Sequence, residues 1–300
     1  MQLSTLPPDR SIAPAIRRVE AVVNVASGSA GPEAVAPLEA MLAEFGLEAR
    51  VAAPEPDQIA DAVHAAVAAK PDLVIILAGD GTARLAAELC GPDGPLLAPL
   101  PGGTMNMLPK AIYGDRAWRE ALHDALSAGV ERPIAGGEVG GHRFYCVAIL
   151  GSPALWARAR EAVRAGKLAR AWSHARLALH RAFLTRLRFQ LDGGPERRAV
   201  ALSLISPMIS RAVDEERALE AAVVDVRDAL EAFRLGLANV TGDWRADPAV
   251  SVQLVKRARA WAKTPIPALL DGEMQRVGRS TEIRYIPLAF RALAPGPPNP

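Results

Sequence analysis

The chain is poor in several residue types, and each shortage removes a class of function. Its 300 residues include two cysteines, Cys90 and Cys146, too few for a disulfide framework or a cysteine-rich zinc site. The five histidines (His64, His123, His142, His174 and His180) show neither an HExxH nor an HxH spacing, which excludes the usual catalytic zinc motifs. No stretch approaches ~18 uninterrupted apolar residues, so no membrane span is expected. The stretch Met1 to Arg10 lacks the basic start and the apolar run of a secretory signal. The expected compartment is the cytoplasm, with peripheral membrane contact left open. There is no Walker A lysine motif, and no GxGxxG follows a strand-like run. The formal net charge is only +2, so the whole chain is not a general polyanion binder.

What is present is a folded composition. Half of the residues are hydrophobic and 23% are charged, which is typical of a globular chain. Alanine dominates with 58 residues, and the 35 basic residues are 30 arginines and 5 lysines. The length suits two domains or one large α/β domain.

Residues 19–25 read as a buried strand that opens into a small-residue loop, Ala26 to Gly31. Pro32 then sits where a first helical turn tolerates it. Helical apolar spacing covers 33–45, a short strand 47–52 and an alanine-rich helix 57–69. The clearest buried strand is 72–78, followed by the loop Gly79-Asp80-Gly81-Thr82 and a helix over 83–89. Another apolar run, 96–100, leads into Pro101-Gly102-Gly103-Thr104-Met105-Asn106, with helices expected over 105–113 and 115–128. Strands alternating with helices indicate parallel βαβ units. After Gly129 the texture becomes strand-rich. β-like runs are 131–139, 144–150, 223–227, 233–240, 250–257, 266–270 and 281–286, with a hairpin over 187–191 and 199–206 and a helical stretch over 154–186. The fold class read from this is α/β in two domains. A parallel-sheet nucleotide-binding type of domain spans 1–130. An antiparallel, β-sandwich-like domain with a helical insertion spans 131–286, and 296–300 is a disordered tail.

Three glycine-rich loops carry the chemistry. Each lies at the carboxyl end of an expected strand, where ligands bind in open parallel sheets. Gly79-Asp80-Gly81-Thr82 offers unobstructed backbone N–H groups before a helix N-terminus, which suits phosphate oxygens. Asp80 is positioned to orient a metal or to cap the helix. Gly103, Thr104 and Asn106 repeat this arrangement one strand later, and Asn24, Ser27 and Gly28 form the third loop. Late in the chain, Asp271-Gly272-Glu273 reads either as a hairpin turn or as two close carboxylates serving as a base and its helper.

These elements, in this order, resemble the diacylglycerol kinase catalytic-domain family of soluble bacterial lipid kinases, which is similar to the sphingosine and ceramide kinases. Its GGDGT loop appears here as Ala78-Gly79-Asp80-Gly81-Thr82. Its P-x-GT-x-N loop matches Pro101, Gly103, Thr104 and Asn106. Its N-P-x-S-G looks like Asn24-Val25-Ala26-Ser27-Gly28, and its late DGE matches Asp271-Gly272-Glu273. Phe144 to Gly151 resembles an F-x-N-x-x-x-x-G segment, and Leu219 to Val226 weakly resembles D-D-G-x-L-D-V. The resemblance implies a nucleotide domain, a β-sandwich, and a last segment, about 287–295, returning to the first domain. It implies ATP in the interdomain cleft, Mg²⁺ near Asp80, and transfer of the γ-phosphoryl group to a lipid hydroxyl. Glu273, or Asp271 coupled to it, would take the hydroxyl proton.

The sequence also departs from that pattern. Pro109-Lys110 stands within a usual D-F-A-R, Ala135 replaces an Asp, Cys146 replaces an Asn, and Ala221-Ala222 replaces D-D. These changes imply no structural metal site there and a thinner catalytic metal network. They open a second reading, a nucleotide- or lipid-binding sensor without catalysis. A third reading is a relative of NAD kinase, which shares the GGDGT loop; the Pro101 to Asn106 loop argues against it.

Charge is unevenly distributed. Residues 151–190 hold nine basic residues and one acid, Glu161, for a net +8, leaving −6 elsewhere. Leu168, Trp172, Ala175, Leu179 and Phe183 recur at helical spacing beside Arg164, Arg170 and Arg176. Arginine and tryptophan flanking an apolar stripe suit an anionic membrane surface. A core-packed helix with a solvated basic back is the alternative. Nucleic acid is not expected as a partner, since no nucleic-acid-binding motif accompanies the stripe.

Overall fold

The computed structural model describes residues 15–28, 30–151, 186–210, 217–225, 245 and 247–296. The chain forms two compact units, Met1–Ile134 with Leu288–Pro300, and Ala135–Pro287.

The first unit is built on parallel strands β1 (Arg18–Val23), β2 (Glu48–Ala52), β3 (Leu73–Ala78) and β4 (Leu96–Pro101), in the order β2-β1-β3-β4. Every residue of β3 is buried, as a central strand covered on both faces requires; this explains its unbroken apolar run. The helices are α1 (Val35–Glu44), α2 (Ile59–Ala68), α3 (Asp80–Cys90), α4 (Met107–Tyr113) and α5 (Trp118–Ala128). They bury faces at i, i+3 and i+4 spacing: Leu38 and Leu42 in α1, Ile59, Val63 and Ala66 in α2, Ala83, Ala86, Ala87 and Cys90 in α3. Alanine on these faces is where much of the unusual alanine content goes. Pro109 is tolerated within the first turn of α4. The Tyr113 hydroxyl at the end of α4 donates to the Leu293 carbonyl at 2.8 Å. Leu293 lies in the returning strand, which joins β4 in parallel at Ala292 and Leu97.

The second unit contains two antiparallel sheets. Their strands are β5 (Gly129–Val139, from Ala135 onward), β6 (His142–Phe144), β7 (Val147–Gly151), β8 (Leu187–Leu191), β9 (Arg197–Ala199), β10 (Ala201–Ile205), β11 (Leu219–Val224), β12 (Val250–Val255), β13 (Arg257–Trp261), β14 (Ile266–Leu270), β15 (Glu273–Val277) and β16 (Ser280–Pro295, as far as Pro287); the remaining residues of β5 and β16 belong to the first unit. One sheet runs β9-β8-β13-β16-β5-β6, the other β12-β11-β10-β7-β14-β15. Phe144, Phe189 and Ile283 of the first share a single core with Leu150, Leu204, Val223 and Leu270 of the second. This unit is a β-sandwich, and the fold class is the α/β plus β-sandwich architecture read from the sequence.

Several local expectations change; the run 250–257 divides into β12 and the start of β13, and the run 223–227 overlaps the end of β11, which begins at Leu219. The helix after β3 starts at Asp80, not at 83, so Gly81 and Thr82 form its first turn. The expected strand 199–206 is cut at Val200: Ala199 ends β9 beside β8, while β10 joins the other sheet between β7 and β11. β15 is an edge strand with polar residues and no clean alternation, so it escaped detection. β16 is 16 residues long, far beyond 281–286; its alternation fails after Tyr285, and its last residues are almost all buried. The expected helix 154–186 and run 233–240 lie wholly or almost wholly outside the described residues, as do most of the tail and the residues Arg164, Arg170, Trp172 and Arg176. No helix among the described residues is long and apolar enough to cross a membrane.

Candidate functional site

The ten loop residues singled out in the sequence all lie in the first unit, at the carboxyl ends of β1, β3 and β4. Asn24 follows β1. Its N–H donates to the Leu77 carbonyl at 2.9 Å, and its side-chain Oδ1 accepts from the Ala26 N–H at 3.1 Å. That turn presents Ser27 and Gly28 to the neighbouring loops. A side chain at Gly28 would lie 3.4 Å from the Gly103 carbonyl carbon and from Thr104 Oγ1. One at Gly79 would lie 3.6 Å from Ser27 Oγ.

The Pro101 to Asn106 loop fits against the Gly79 to Thr82 loop without room to spare. A Cβ on Gly103 would stand 2.6 Å from Gly79 Cα, well inside any contact a side chain makes. Asn106 holds this approach. Its Oδ1 accepts from the Gly103 N–H at 2.7 Å and its Nδ2 donates to the Gly103 carbonyl at 3.0 Å. It does so from a left-handed backbone, φ 53° and ψ 44°, a conformation asparagine adopts more readily than most residues. Asn106 is buried, whereas Thr104 is exposed.

α3 begins directly behind Gly79, and no side chain caps it. Its first intrahelical bond runs from the Ala83 N–H to the Gly79 carbonyl at 3.1 Å. The N–H groups of the first turn, Gly81 and Thr82 among them, therefore lie at the end of an 11-residue helix, where the dipole favours an anion. Asp80, also in that turn, has Oδ1 3.4 Å from the Leu108 N–H, linking the starts of α3 and α4. It is the one carboxylate among the ten loop residues. Among the described residues there is no group of three metal-ligating side chains.

Asp271 and Glu273 lie in the second unit. Asp271 and Gly272 form the two-residue turn between β14 and β15, both at positive φ (47° and 88°). This is the primed turn that Asp-Gly pairs favour. The turn does more than reverse the chain. The buried Asp271 carboxylate accepts three backbone N–H groups: Tyr145 at 2.6 Å, Cys146 at 2.8 Å and Val147 at 2.8 Å. The Asp271 N–H returns a bond to the Val147 carbonyl at 2.9 Å. Both carboxylate oxygens are thus engaged in fastening the turn to the β6–β7 connection. Glu273 is half-buried and opens β15 directly opposite Leu270, on the core-facing side of the sheet. The two carboxylates therefore sit in different surroundings.

Sequence reasoning missed the three N–H groups that hold Asp271, although it had singled out Phe144 to Gly151. Cys146, where the resembled pattern has Asn, contributes its backbone N–H. Sequence reasoning also missed Glu220. This residue is fully buried in β11, next to Ala221-Ala222, and its carboxylate meets Arg245 Nε at 2.6 Å and the Ser210 hydroxyl. A lone acid inside Leu219-Glu220-Ala221-Ala222-Val223-Val224 was the available signal. Ala135 is buried, and its carbonyl accepts from Ser206 Oγ at 3.4 Å. From the basic segment, the described Arg186 and Arg188 pair with Asp225 at 2.7 Å and Glu196 at 3.5 Å.

Comparison with known proteins fits this geometry. Residues 18–139 match the model of the diacylglycerol kinase catalytic domain. None of the curated proteins compared is similar to the chain in sequence. Among solved structures, one assigned as a diacylglycerol kinase from Bacillus anthracis str. Sterne superposes with a TM-score of 0.70 at 19% identity, covering 94% of this chain and 98% of that one. A second diacylglycerol kinase structure from the same organism gives 0.67 at 17% identity with the same coverage. An NAD kinase from Archaeoglobus fulgidus in complex with ATP gives 0.52 at 11% identity, covering 93% of this chain and 94% of that one. At these identities the structures establish a shared fold.

Proposed function

We propose that this chain, whose residues 18–139 match the model of the diacylglycerol kinase catalytic domain, is an ATP-dependent kinase for a lipid hydroxyl. The observation that supports this best is the backbone contact between Gly79 and Gly103, fastened by Asn106. It brings two glycine loops together at the N-terminus of α3, a place built for phosphate oxygens rather than for side chains.

ATP fits the donor set of these loops. Mg²⁺ fits as well, because nucleotide phosphates and water supply most of its ligands and one or two carboxylates suffice; Asp80 is that carboxylate. When bound, they supply the transferable phosphoryl group and neutralise its charge. The protein's part is positioning and proton management. The Gly79 to Thr82 turn, Gly103, Thr104 and the Asn24 to Gly28 loop hold the phosphates, with Asn106 fixing their spacing. Glu273 accepts the proton of the acceptor hydroxyl as its oxygen bonds to phosphorus and the bond to the ADP leaving group breaks. Asp271 is a positioning residue: its three N–H bonds fix the turn from which Glu273 projects. Positioning of this kind supplies much of the rate in phosphoryl transfer. The basic segment with Arg164, Arg170, Trp172 and Arg176 is proposed to lie against an anionic, peripherally contacted membrane.

The test is transfer from labelled ATP to a panel of diacylglycerol, monoacylglycerol, phosphatidylglycerol and sphingoid bases, with Asp80→Ala and Glu273→Ala as controls. Labelled phospholipid that disappears in both variants is expected. ATP binding without transfer to any lipid favours a sensor, and formation of NADP from NAD favours the NAD kinase reading; either overturns the proposal.

A further inference from the structure

In the second unit, the places where the chain departs from the resembled pattern, Ala135, Cys146 and Ala221-Ala222, all border one hydrogen-bonded network. β10 runs between β7 and β11, and its last residue, Ile205, stands opposite Val147 on one side and Glu220 on the other. The start of β11 therefore lies in the same row as the β6–β7 connection that holds Asp271. Leu219, Ala221 and Val223 enter the core shared by the two sheets. Side chains alternate along a strand, so Glu220 and Ala222 face away from that core. Glu220 is nevertheless fully buried.

Ser206, directly after β10 and also fully buried, joins these elements. Its N–H donates to the Cys146 carbonyl at 2.8 Å, and its hydroxyl donates to the Ala135 carbonyl at 3.4 Å. Its own carbonyl accepts from the Ser210 N–H at 3.0 Å. The Ser210 hydroxyl in turn donates to Glu220 Oε2. Arg245 closes the network, with Nε 2.6 Å from Glu220 Oε1 and Nη2 3.3 Å from Oε2. Contacts thus run from Arg245 through Glu220, Ser210, Ser206 and Cys146 to the Asp271 carboxylate, which accepts the Cys146 N–H at 2.8 Å.

The resembled pattern places two aspartates of a structural metal site at Ala221-Ala222. The residues present do not fit a metal ion. Ala221 lies in the core, Ala222 brings no side-chain oxygen, and both oxygens of Glu220 are engaged by the guanidinium and a hydroxyl. A hard divalent cation takes about six oxygen ligands. Arg245 instead supplies a positive charge that belongs to the chain, in the planar fork that matches a carboxylate.

We infer that the Arg245–Glu220 ion pair is a built-in substitute for a structural metal: it holds the Ser206 to Ser210 turn and, through Cys146, fixes the Asp271 turn from which Glu273 projects. Arg245 and Glu220 are positioning residues, and their importance for proton transfer rests on the lipid-kinase reading. Melting and amide hydrogen exchange, both without nucleotide, test the ion pair apart from catalysis. The parent stripped with EDTA is expected to melt within about 2 °C of the same protein in millimolar MgCl₂ or CaCl₂. Ser210→Ala keeps the ion pair but cuts its link to the turn. It is expected to melt within about 4 °C of the parent. Exchange of the Tyr145, Cys146 and Val147 N–H groups, measured against the amides of β10, rises about fivefold, the worth of one hydrogen bond. E220M/R245M puts apolar side chains where the pair stood, recovers most of the melting temperature, and speeds the same three amides by about fivefold or more. With a lipid acceptor, both variants lower kcat by about fivefold and leave the KM for ATP unchanged, because the nucleotide loops lie in the first unit. A parent that transfers no phosphate to lipid removes the kinase reading, and exchange and melting still decide the role of the ion pair. A parent that a divalent ion stabilises by more than about 5 °C without nucleotide, or variants whose three amides exchange at the parent rate, overturns the inference.

Discussion

Replacing Gly103 by alanine tests the packing of the glycine loops, and its size follows from the geometry. The added Cβ would stand 2.6 Å from Gly79 Cα. Contacts that real side chains tolerate begin near 3.4 Å, so the two backbones must separate by about 0.8 Å. Neither partner is the yielding end of a side chain. Overpacking of this kind costs about 1–3 kcal/mol. The separation also stretches the 2.7 and 3.0 Å bonds to Asn106, each worth about 1 kcal/mol. A loss of about 2–4 kcal/mol corresponds to a fall in the melting temperature of the first unit of about 5–12 °C. Gly79→Ala is the internal comparison. Its Cβ has ordinary room, with Ser27 Oγ at 3.6 Å and Gly103 Cα at 3.9 Å, so its melting temperature stays within about 2 °C of the parent. Differential scanning calorimetry reads the stability, and isothermal titration with ATP reads the site. ATP affinity drops at least tenfold in Gly103→Ala. A Gly103→Ala protein that melts like the parent, or a Gly79→Ala protein that melts as low as Gly103→Ala, refutes the reasoning.

Further outcomes follow from other contacts. Asn106→Ala loses both Gly103 bonds and is expected to cost about 2 kcal/mol by denaturant titration; a change below about 0.5 kcal/mol contradicts the pinning role. Arg245→Met leaves the buried Glu220 carboxylate without its guanidinium and is expected to destabilise the second unit by about 3–5 kcal/mol; Glu220→Met with Arg245→Met together recovers most of that loss, and a double variant as unstable as the single one counts against it. Burial pushes the Cys90 thiol up to about 12, so it is almost entirely protonated at pH 8 and iodoacetamide labels it only after unfolding; rapid labelling of the native protein is the contrary result. The Asp72 carboxylate accepts the N–H groups of Arg18 and Arg17, and these hold its pKa below the usual value. The stability this gives is present above the ordinary carboxylate range and is lost as the pH falls through the lowered value. The gap in stability between the parent and Asp72→Asn is therefore constant from pH 5 to 8 and closes below about pH 4; a gap that widens on acidification contradicts it.

The parallel half of the fold was legible because burial on both faces leaves a plain mark. β3 is an uninterrupted apolar run, and glycine-rich loops followed the strands that end at Val23, Ala78 and Pro101. The antiparallel half was harder. β15 begins with Glu273 at a sheet edge and carries Gln275 and Arg276, so no apolar period marks it. β16 changes from an alternating to a buried strand partway along its length, and a single periodicity cannot describe both parts. The ten loop residues were found by their type and place, but why Gly103 must be glycine was not. That depends on Gly79 Cα, 24 positions away in the chain and in contact only after folding. The Asp-Gly turn at Asp271 was legible, whereas its tie to Tyr145, Cys146 and Val147 was hidden. Backbone N–H donors leave no trace in residue identity.

The division of labour between the two carboxylates is the central claim, and a paired measurement of lipid phosphorylation and stability tests it most directly. Glu273→Gln is predicted to melt like the parent, bind ATP normally, and transfer phosphate to lipid at least a hundredfold more slowly. Asp271→Asn, which cannot satisfy three N–H donors with one oxygen, is predicted to lose about 2–4 kcal/mol of stability together with its activity. A Glu273→Gln enzyme that phosphorylates lipid at the parent rate, or an Asp271→Asn protein as stable as the parent, would contradict it.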